Sequence, residues 1–406
     1  MLASYPYENG TIDSLDLKVL LVTQGLDIPV DEVVARFGES HRVRPIVSRG
    51  ARSYQPDLET ILLPEAFRLP DGTVIEMLNR GEASPFKMRL PGTGWPVIEH
   101  RGQELTEIHF FPRSTLFDRR TSTGTPFPKF AQLHGADTLW MTYYSECDFA
   151  DRGKPCLFCF RGTKGRALGK QGTIKWHDPT PEEMAEVVEH AFVAEEGSTW
   201  DMTITGGSRI GDGGECAHVA RIISTIDERV GLDRIPGEIS VLMSAPRDPS
   251  AVDEVFEAGA DRVSYDLEVW NPDLFAKICP GKASFVGRDE WIAALEYIRK
   301  TQGHQKACSI FVAGLEPLED LLEGCEYLCS RGIVPLLDIW QTGEHPVLDR
   351  TAQPGLEYYR ELRRRVAELY EKYSCEPQGR SGYSRCICRD TWNHREALQA
   401  GTDRVA

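Results

Sequence analysis

Cysteine is absent from the chain until Cys147, so thiol or metal chemistry belongs to the residues beyond the N-terminal third. Long apolar runs are missing too: no stretch approaches the roughly 18 consecutive apolar residues of a membrane span. The N-terminus also lacks the basic segment followed by an apolar one that marks an export signal. These absences make the cytoplasm the expected location and a membrane an unexpected partner. Basic residues are the minority, 46 Lys and Arg against 62 Asp and Glu, for a net charge of −16. The field over such a surface opposes polyanions, which argues against nucleic acid as a partner. Internal repeats and low-complexity tracts are missing as well. A composition that is 41% hydrophobic and 27% charged has ample material for a core and excludes wholesale disorder.

What is present begins with eleven cysteines. An odd count, no export signal and two tight clusters point to thiolates kept for metal rather than to disulfides. Three regions are expected. Residues 1–130 carry short mixed segments such as LDLKVLLVT and TEIHFF, broken by LPDGT, LPGTGWP and STGTPFP, the pattern of a small α+β appendage. Residues 131–350 alternate apolar, β-rich runs with amphipathic helices, the signature of a parallel sheet wrapped by crossovers. Its six strand candidates are TLWMTYYSE, DMTITGG, EISVLMS, DRVSYDLEV, CSIFVAG and VPLLDIW. Residues 351–406 hold one more helix, with Leu356, Tyr359, Leu362, Val366 and Leu369 on one stripe, and a Cys-rich tail that needs a staple to be ordered.

The chain leaves the first of these strands as ECDFADRGKPCLFCF, spacing thiols as C-x8-C-x2-C. Iron–sulfur clusters are held by cysteine thiolates, usually four, and a loop with three implies an open iron. Its place is also informative, because the working end of barrel-type α/β sheets is the carboxyl end of the strands. Two other readings remain. A zinc knuckle would need a fourth ligand, and the nearest histidines are His134 and His177; three reduced core cysteines would sit oddly beside Asp151, Arg152 and Lys154.

Cys147, Cys156, Cys159, the aromatic Phe158 before the last cysteine and a following strand ending in Gly206–Gly207 resemble the radical S-adenosylmethionine (SAM) superfamily, of the biotin and lipoyl synthase type. The usual loop there is C-x3-C-x2-C, and the first spacing here is longer. The resemblance implies an α/β fold, a partial six-stranded (β/α)6 barrel. It implies a [4Fe–4S] cluster on Cys147, Cys156 and Cys159 whose fourth iron binds SAM. It also implies an electron donor such as flavodoxin or ferredoxin, and a 5′-deoxyadenosyl radical that takes hydrogen from a small-molecule substrate. The stretch KFAQLHGADTLW further resembles uncharacterised radical SAM proteins encoded beside nitrilase genes.

Other positions are candidates for holding SAM. The second strand ends TITGGS, where family members often carry Gly-Gly-Glu; Gly206 and Gly207 permit close backbone approach, and Ser208 stands in place of the acid. A plain strand-to-loop turn would look the same. The fourth strand puts Ser264, Asp266 and Glu268 on one polar face by its period of two. Glu268, then Asp266, is the candidate for the SAM ribose by resemblance to lipoyl synthase-like members, although a solvated edge strand shows the same alternation. Gly314 on the fifth strand fits a site where adenine approaches backbone. Asp338, Trp340 and Gln341, which close the sixth, are candidates to face substrate rather than SAM, although a Trp near a strand end is at least as often core.

In the tail, Cys375, Cys386 and Cys388 are spaced C-x10-C-x-C with His394 beyond. They suit an auxiliary iron–sulfur cluster or a structural zinc, or they remain reduced thiols or a redox pair. Cys325 and Cys329 continue an apolar helix stripe, and Cys216, Cys279 and Cys308 are expected to be small core residues. Three functions are open on this sequence: a radical SAM enzyme acting on a small molecule by rearrangement, cleavage or ring formation; a sulfur-inserting synthase using an auxiliary cluster at the tail; or a metal-stabilised redox sensor that does not turn over SAM.

Overall fold

The computed structural model describes residues 2–41, 43–45, 62–159, 177–210, 214–341, 348, 352–380 and 382–400. The chain opens with a hairpin of β1 (Ser4–Tyr7) and β2 (Gly10–Asp13), which leads into α1 (Ser14–Gln24) and α2 (Val30–Phe37). Small antiparallel sheets come next: β3 (Val43–Pro45) with β4 (Leu62–Pro64), β5 (Ala66–Arg68) between β6 (Val74–Glu76) and β10 (His109–Phe110), and β7 (Phe86–Arg89), β8 (Val97–His100) and β9 (Gln103–Glu107) in sequence order. Helix α1 is buried on nearly every side, so the apolar run LDLKVLLVT is a central helix rather than a surface one.

The main sheet is curled into a half-barrel of seven strands: β11 (Ala131–His134), β12 (Thr138–Tyr144), β13 (Asp201–Gly206), β14 (Ile239–Leu242), β15 (Arg262–Ser264), β16 (Ala307–Ala313) and β17 (Val334–Ile339), in that order. Strands β12 to β17 are all parallel and correspond to the six sequence candidates. The seventh, β11, pairs antiparallel with β12 and is additional to them. Four residues with only Ala131 and Leu133 turned inward give too short a pattern to mark a strand.

Helices cross between the strands: α3 (Asp148–Asp151), α4 (Pro181–Glu189), α5 (Gly214–Val230), α6 (Asp253–Glu257), α7 (Pro272–Ile278), α8 (Pro280–Phe285), α9 (Arg288–Thr301) and α10 (Leu318–Ser330). Local chemistry fixes their starts. Thr180 and Glu183 form a reciprocal capping box with Pro181 in the first turn of α4, and the Asn271 side chain accepts the N–H groups of Asp273 and Leu274 at α7, satisfying orphan donors of the first turn. On α5 the buried stripe Cys216, Val219, Ile222, Ile223 and Ile226 lies against the sheet. One hydrophobic cluster runs from Tyr5 to Cys388, so the N-terminal region, the half-barrel and the tail share a core. No helix among the described residues is long and apolar enough to cross a membrane.

After α11 (Leu356–Tyr373) the tail runs to α12 (Cys388–Asn393) and α13 (Arg395–Ala400). Its staple is backbone pairing. Ile387 N–H donates to Leu337 C=O at 3.0 Å and Ile339 N–H to Arg385 C=O at 3.3 Å, laying the tail antiparallel on the free edge of β17. Lys18 of α1, fully buried, donates to Tyr383 O (2.6 Å), Cys386 O (2.8 Å) and Asp390 Oδ2 (2.5 Å). A buried ammonium is tolerable only when so satisfied.

Candidate active site

Along β12 the odd residues Leu139, Met141 and Tyr143 are buried while Trp140, Thr142 and Tyr144 are half-exposed. Tyr143 hydrogen-bonds Glu215 of α5, so the odd residues face the helices and the even ones face the concave side. The cysteine loop leaves the carboxyl end of this strand. Cys147 precedes α3, where the Asp148 N–H donates to Ser208 O at 2.8 Å and Asp148 Oδ2 accepts from Ile210 N–H at 2.8 Å. Tyr144 Oη donates to Asp148 Oδ1 at 3.0 Å, and Arg209 lies over the Tyr144 ring. The loop is thereby tied to the end of β13.

Gly207 makes that junction, and a Cβ on it would fall 1.6 Å from Glu146 O and 3.0 Å from Cys147 Cβ. Only glycine permits so close a backbone approach. A Cβ at Gly206 would meet the Tyr143 ring at 2.7 Å. Ser208, half-buried beside them, contributes its carbonyl to Asp148.

Cys147, Cys156 and Cys159 form no disulfide and are half-buried, and Phe158 between the last two packs partly on the core. Cys159 N–H turns back to Cys156 O at 3.1 Å. Contact with Cys279, together with burial, raises the Cys156 thiol well above its ordinary pKa. Among the described residues no three His, Cys, Asp or Glu side chains are placed to share a single metal ion. The donor chemistry nevertheless suits a cluster, in which each thiolate takes its own iron. His134 pairs with Glu65 at 2.8 Å and His177 with Glu183 at 3.0 Å, so both nearest histidines are engaged elsewhere.

Across the concave face lie the carboxylates of the fourth strand, which departs from expectation. The regular ladder of β15 stops at Ser264. Glu268 then adopts φ +69°, and its N–H and C=O bond Ile310 and Val312 of β16. The alternation survives this kink, with Tyr265, Leu267 and Val269 fully buried and Asp266 and Glu268 half-buried. Asp266 accepts from Ser264 Oγ at 2.6 Å, and burial raises its pKa. Burial pushes Glu268 up to about 7 against the pull of Lys282, whose Nζ stands 2.8 Å from Glu268 Oε1. Lys282 also donates to the Asp266 carbonyl oxygen; burial opposes its charge, but Glu268 and its other acidic neighbours together keep it protonated. Lys282 is absent from the sequence candidates; its PGK turn carries no motif that marks it.

Gly314, at the end of β16, has φ +110°. Tyr359 Oη would be 2.7 Å from a Cβ there and Pro354 3.4 Å, so a ligand could reach it only from the opposite face. Trp340 is buried, Gln341 donates to Glu76 at 2.9 Å, and Asp338 pairs with Arg385 at 2.8 Å. In the tail, Cys386 and Cys388 sulfurs are 3.0 Å apart, Cys388 Sγ accepts Leu337 N–H at 2.6 Å, and Cys375 lies against Cys329. All three are buried. Cys216, Cys308, Cys325 and Cys329 are core residues; Cys279 is buried as well but touches the cysteine loop.

A parallel half-barrel with a three-thiol loop on its first parallel strand is the arrangement in which a superfamily assignment can be tested. Residues 143–334 match the sequence profile of the Radical SAM superfamily. The chain carries a radical SAM domain and is an enzyme, which sets aside a purely sensing role. The family implies a [4Fe–4S] cluster and SAM as cofactors, and a small-molecule substrate with a reductant. Among curated proteins the chain is similar to bacteriochlorophyllide c C-7(1)-hydroxylase of Chlorobaculum limnaeum, 27% identical over 374 residues that cover 89% of this chain and 86% of that protein. Among solved structures it is similar to methylornithine synthase, with a TM-score of 0.41 and 13% identity, covering 72% of this chain and 95% of the other. It is also similar to a radical SAM methyltransferase from Sphaerobacter thermophilus, with a TM-score of 0.41 and 18% identity over 71% and 76% of the two chains.

Proposed function

We propose that Cys147, Cys156 and Cys159 hold three irons of a [4Fe–4S] cluster, and that the enzyme uses SAM to oxidise an unactivated C–H bond of a small organic molecule. The observation that carries this reading is the loop itself, three thiols at the carboxyl end of the first parallel strand with Gly207 pressed against its root. When bound, cluster and SAM supply one-electron cleavage of the sulfonium, giving a 5′-deoxyadenosyl radical that abstracts hydrogen. The chain's own residues orient and enclose. Asp148 fixes the loop to Ser208 and Ile210, Gly206, Gly207 and Ser208 offer backbone to the SAM amino acid, and Glu268 with Asp266 accepts ribose hydroxyls. Lys282 Nζ holds Glu268 Oε1 in place for that contact. Residues 131–350 are the catalytic unit, with 1–130 and the tail packed on it.

Hydroxylation is the reaction favoured within this class, because the hydroxylase relative aligns over nearly the whole of both chains. Sulfur insertion is less favoured: the tail thiols are paired off and enclosed, Cys386 with Cys388 and Cys375 with Cys329. Anaerobic reconstitution followed by dithionite and SAM tests the proposal. The wild type is expected to release 5′-deoxyadenosine, and Cys147→Ala, Cys156→Ala and Cys159→Ala to bind little iron and release none. A reconstituted wild type without a [4Fe–4S] signal, or product formation by those variants, refutes it.

A further inference from the structure

The even residues of β12 face the concave side, and strand register carries that face across the sheet. Trp140 pairs with Thr203, Thr203 with Ser240 and Ser240 with Arg262; two residues on, Ser264 pairs with Cys308, and further along β16 Val312 pairs with Asp338. Paired residues share a face, as do residues two apart on one strand, so Asp338 looks into the half-barrel. The other positions of β17 are buried, and Asp338 is half-buried. It also stands level with Glu268, whose C=O accepts the Val312 N–H. Burial is the main cause of the raised Glu268 pKa, but the Asp338 charge contributes to it, so the two carboxylates lie within electrostatic reach.

The tail brings a cation to this place. Ile339 N–H donates to Arg385 C=O and Ile387 N–H to Leu337 C=O, and Asp338 bridges Cys386, so backbone pairing on both sides fixes residue 385. Its guanidinium gives Nη2 (2.8 Å) and Nε (3.3 Å) to a single oxygen, Asp338 Oδ2. That contact does not use the Nη1 end of the fork, and the two side chains remain 19% and 20% exposed. Lys282, by contrast, is spent on Glu268 and the Asp266 carbonyl. With Asp266, Glu268 and Asp338 on the concave side and a net charge of −16 over the chain, an anionic molecule is repelled unless a cation receives it. A planar guanidinium matches a carboxylate, and partial burial strengthens the attraction. We propose that Arg385 is a substrate-binding residue: held by Asp338 at the other edge of the sheet from the cysteine loop, it presents its remaining N–H groups to a carboxylate of the substrate and so selects acidic small molecules. This rests on the proposed function, which makes the concave face the place where substrate meets the radical.

The test is the binding of benzoate and of its neutral isostere benzamide to the reconstituted full-length enzyme, followed by saturation-transfer NMR with and without saturating SAM, with iron measured on each sample. Wild type should bind benzoate with a lower Kd than benzamide. Arg385→Met should weaken benzoate roughly tenfold or more, as the loss of a charge-assisted hydrogen bond predicts, and leave benzamide unchanged, while Arg385→Lys should recover part of the loss. Asp338→Asn removes the anion that competes for the guanidinium and should tighten benzoate. An ion pair with a structural role alone predicts weaker benzoate in both the Met and the Asn variant, and that result overturns the proposal. So does equal benzoate binding by wild type and Arg385→Met, or equal binding of benzoate and benzamide by wild type. Displacement of benzoate by SAM also overturns it, because Arg385 would then belong to the SAM carboxylate. Wild type that binds benzoate through Arg385 yet holds no iron would support the anion site and refute the ligation by the cysteine loop.

Discussion

Replacing Glu215 by glutamine should flatten the pH dependence of stability. Glu215 sits in the first turn of α5, accepts from Tyr143 Oη, and is approached by the N–H groups of Arg209 and Ser244. Burial outweighs these contacts and raises its carboxyl from the ordinary 4.5 to about 8. Because the folded pKa is the higher one, the native state keeps a proton that the unfolded chain releases between those values. Stability from this group is therefore greatest below the unfolded pKa and falls as pH rises through the window. At about 1.4 kcal/mol per unit, the loss is about 3 kcal/mol by pH 7 and nears about 5 kcal/mol above pH 8. Glutamine keeps an oxygen for Tyr143 but cannot ionise. Its amide adds an offset that does not depend on pH, so the slope is the readout. Urea unfolding under reductant at pH 5, 6, 7 and 8 should show the stability of Glu215→Gln rising against wild type by about 3 kcal/mol across the series. Parallel curves would refute the assignment of a neutral, buried Glu215, since the other raised carboxyls, Asp13, Asp266, Glu268 and Glu316, are present in both proteins.

Three further outcomes can be measured. Lys18→Met leaves the Asp390 carboxylate and two carbonyl oxygens buried without their cation, and should cost about 3–5 kcal/mol in urea unfolding, part of it recovered by adding Asp390→Asn. Gly207→Ala drives a Cβ into Glu146 O and should displace the cysteine loop, seen as iron content falling to a minor fraction of wild type while circular dichroism is retained. Cys386→Ala/Cys388→Ala should lower thermal stability yet leave iron per chain unchanged, because pairing with β17 orders the tail; a fall in iron would restore the auxiliary cluster.

The parallel strands are legible in the sequence because buried parallel strands read as short apolar runs between amphipathic helices, and β14, buried at every position, is a plain case. The cysteine loop is legible because its three cysteines are near neighbours in sequence. The features that cannot be read depend on distant segments or on backbone conformation. The left-handed Glu268 is a non-glycine residue held there by tertiary bonds to β16, and no propensity marks such a position. Cys279 reads as core, and by burial it is; that it also lies against the cysteine loop comes from the α7–α8 corner docking on residues 149–157. Lys18 lies in a run so apolar that a buried cation there gives no signal until its partners, 365 to 372 residues away, are in place.

The tail explains how an open half-barrel avoids two exposed edges. A curled sheet that does not close leaves β11 and β17 with unpaired backbone, a template for unwanted pairing. Residues 385–387 cover β17, while Tyr383 stacks on His134 of β11 at 5.7 Å. Between them Ser384 O accepts Glu76 N–H of β6 at 3.0 Å, and Lys18 grips Tyr383 and Cys386 from α1. One short segment thus joins both sheet edges to the N-terminal region. Its cysteines stand where backbone must be covered, at a sheet edge that the tail pairs with, so their substitution should register first in stability and only through it in activity.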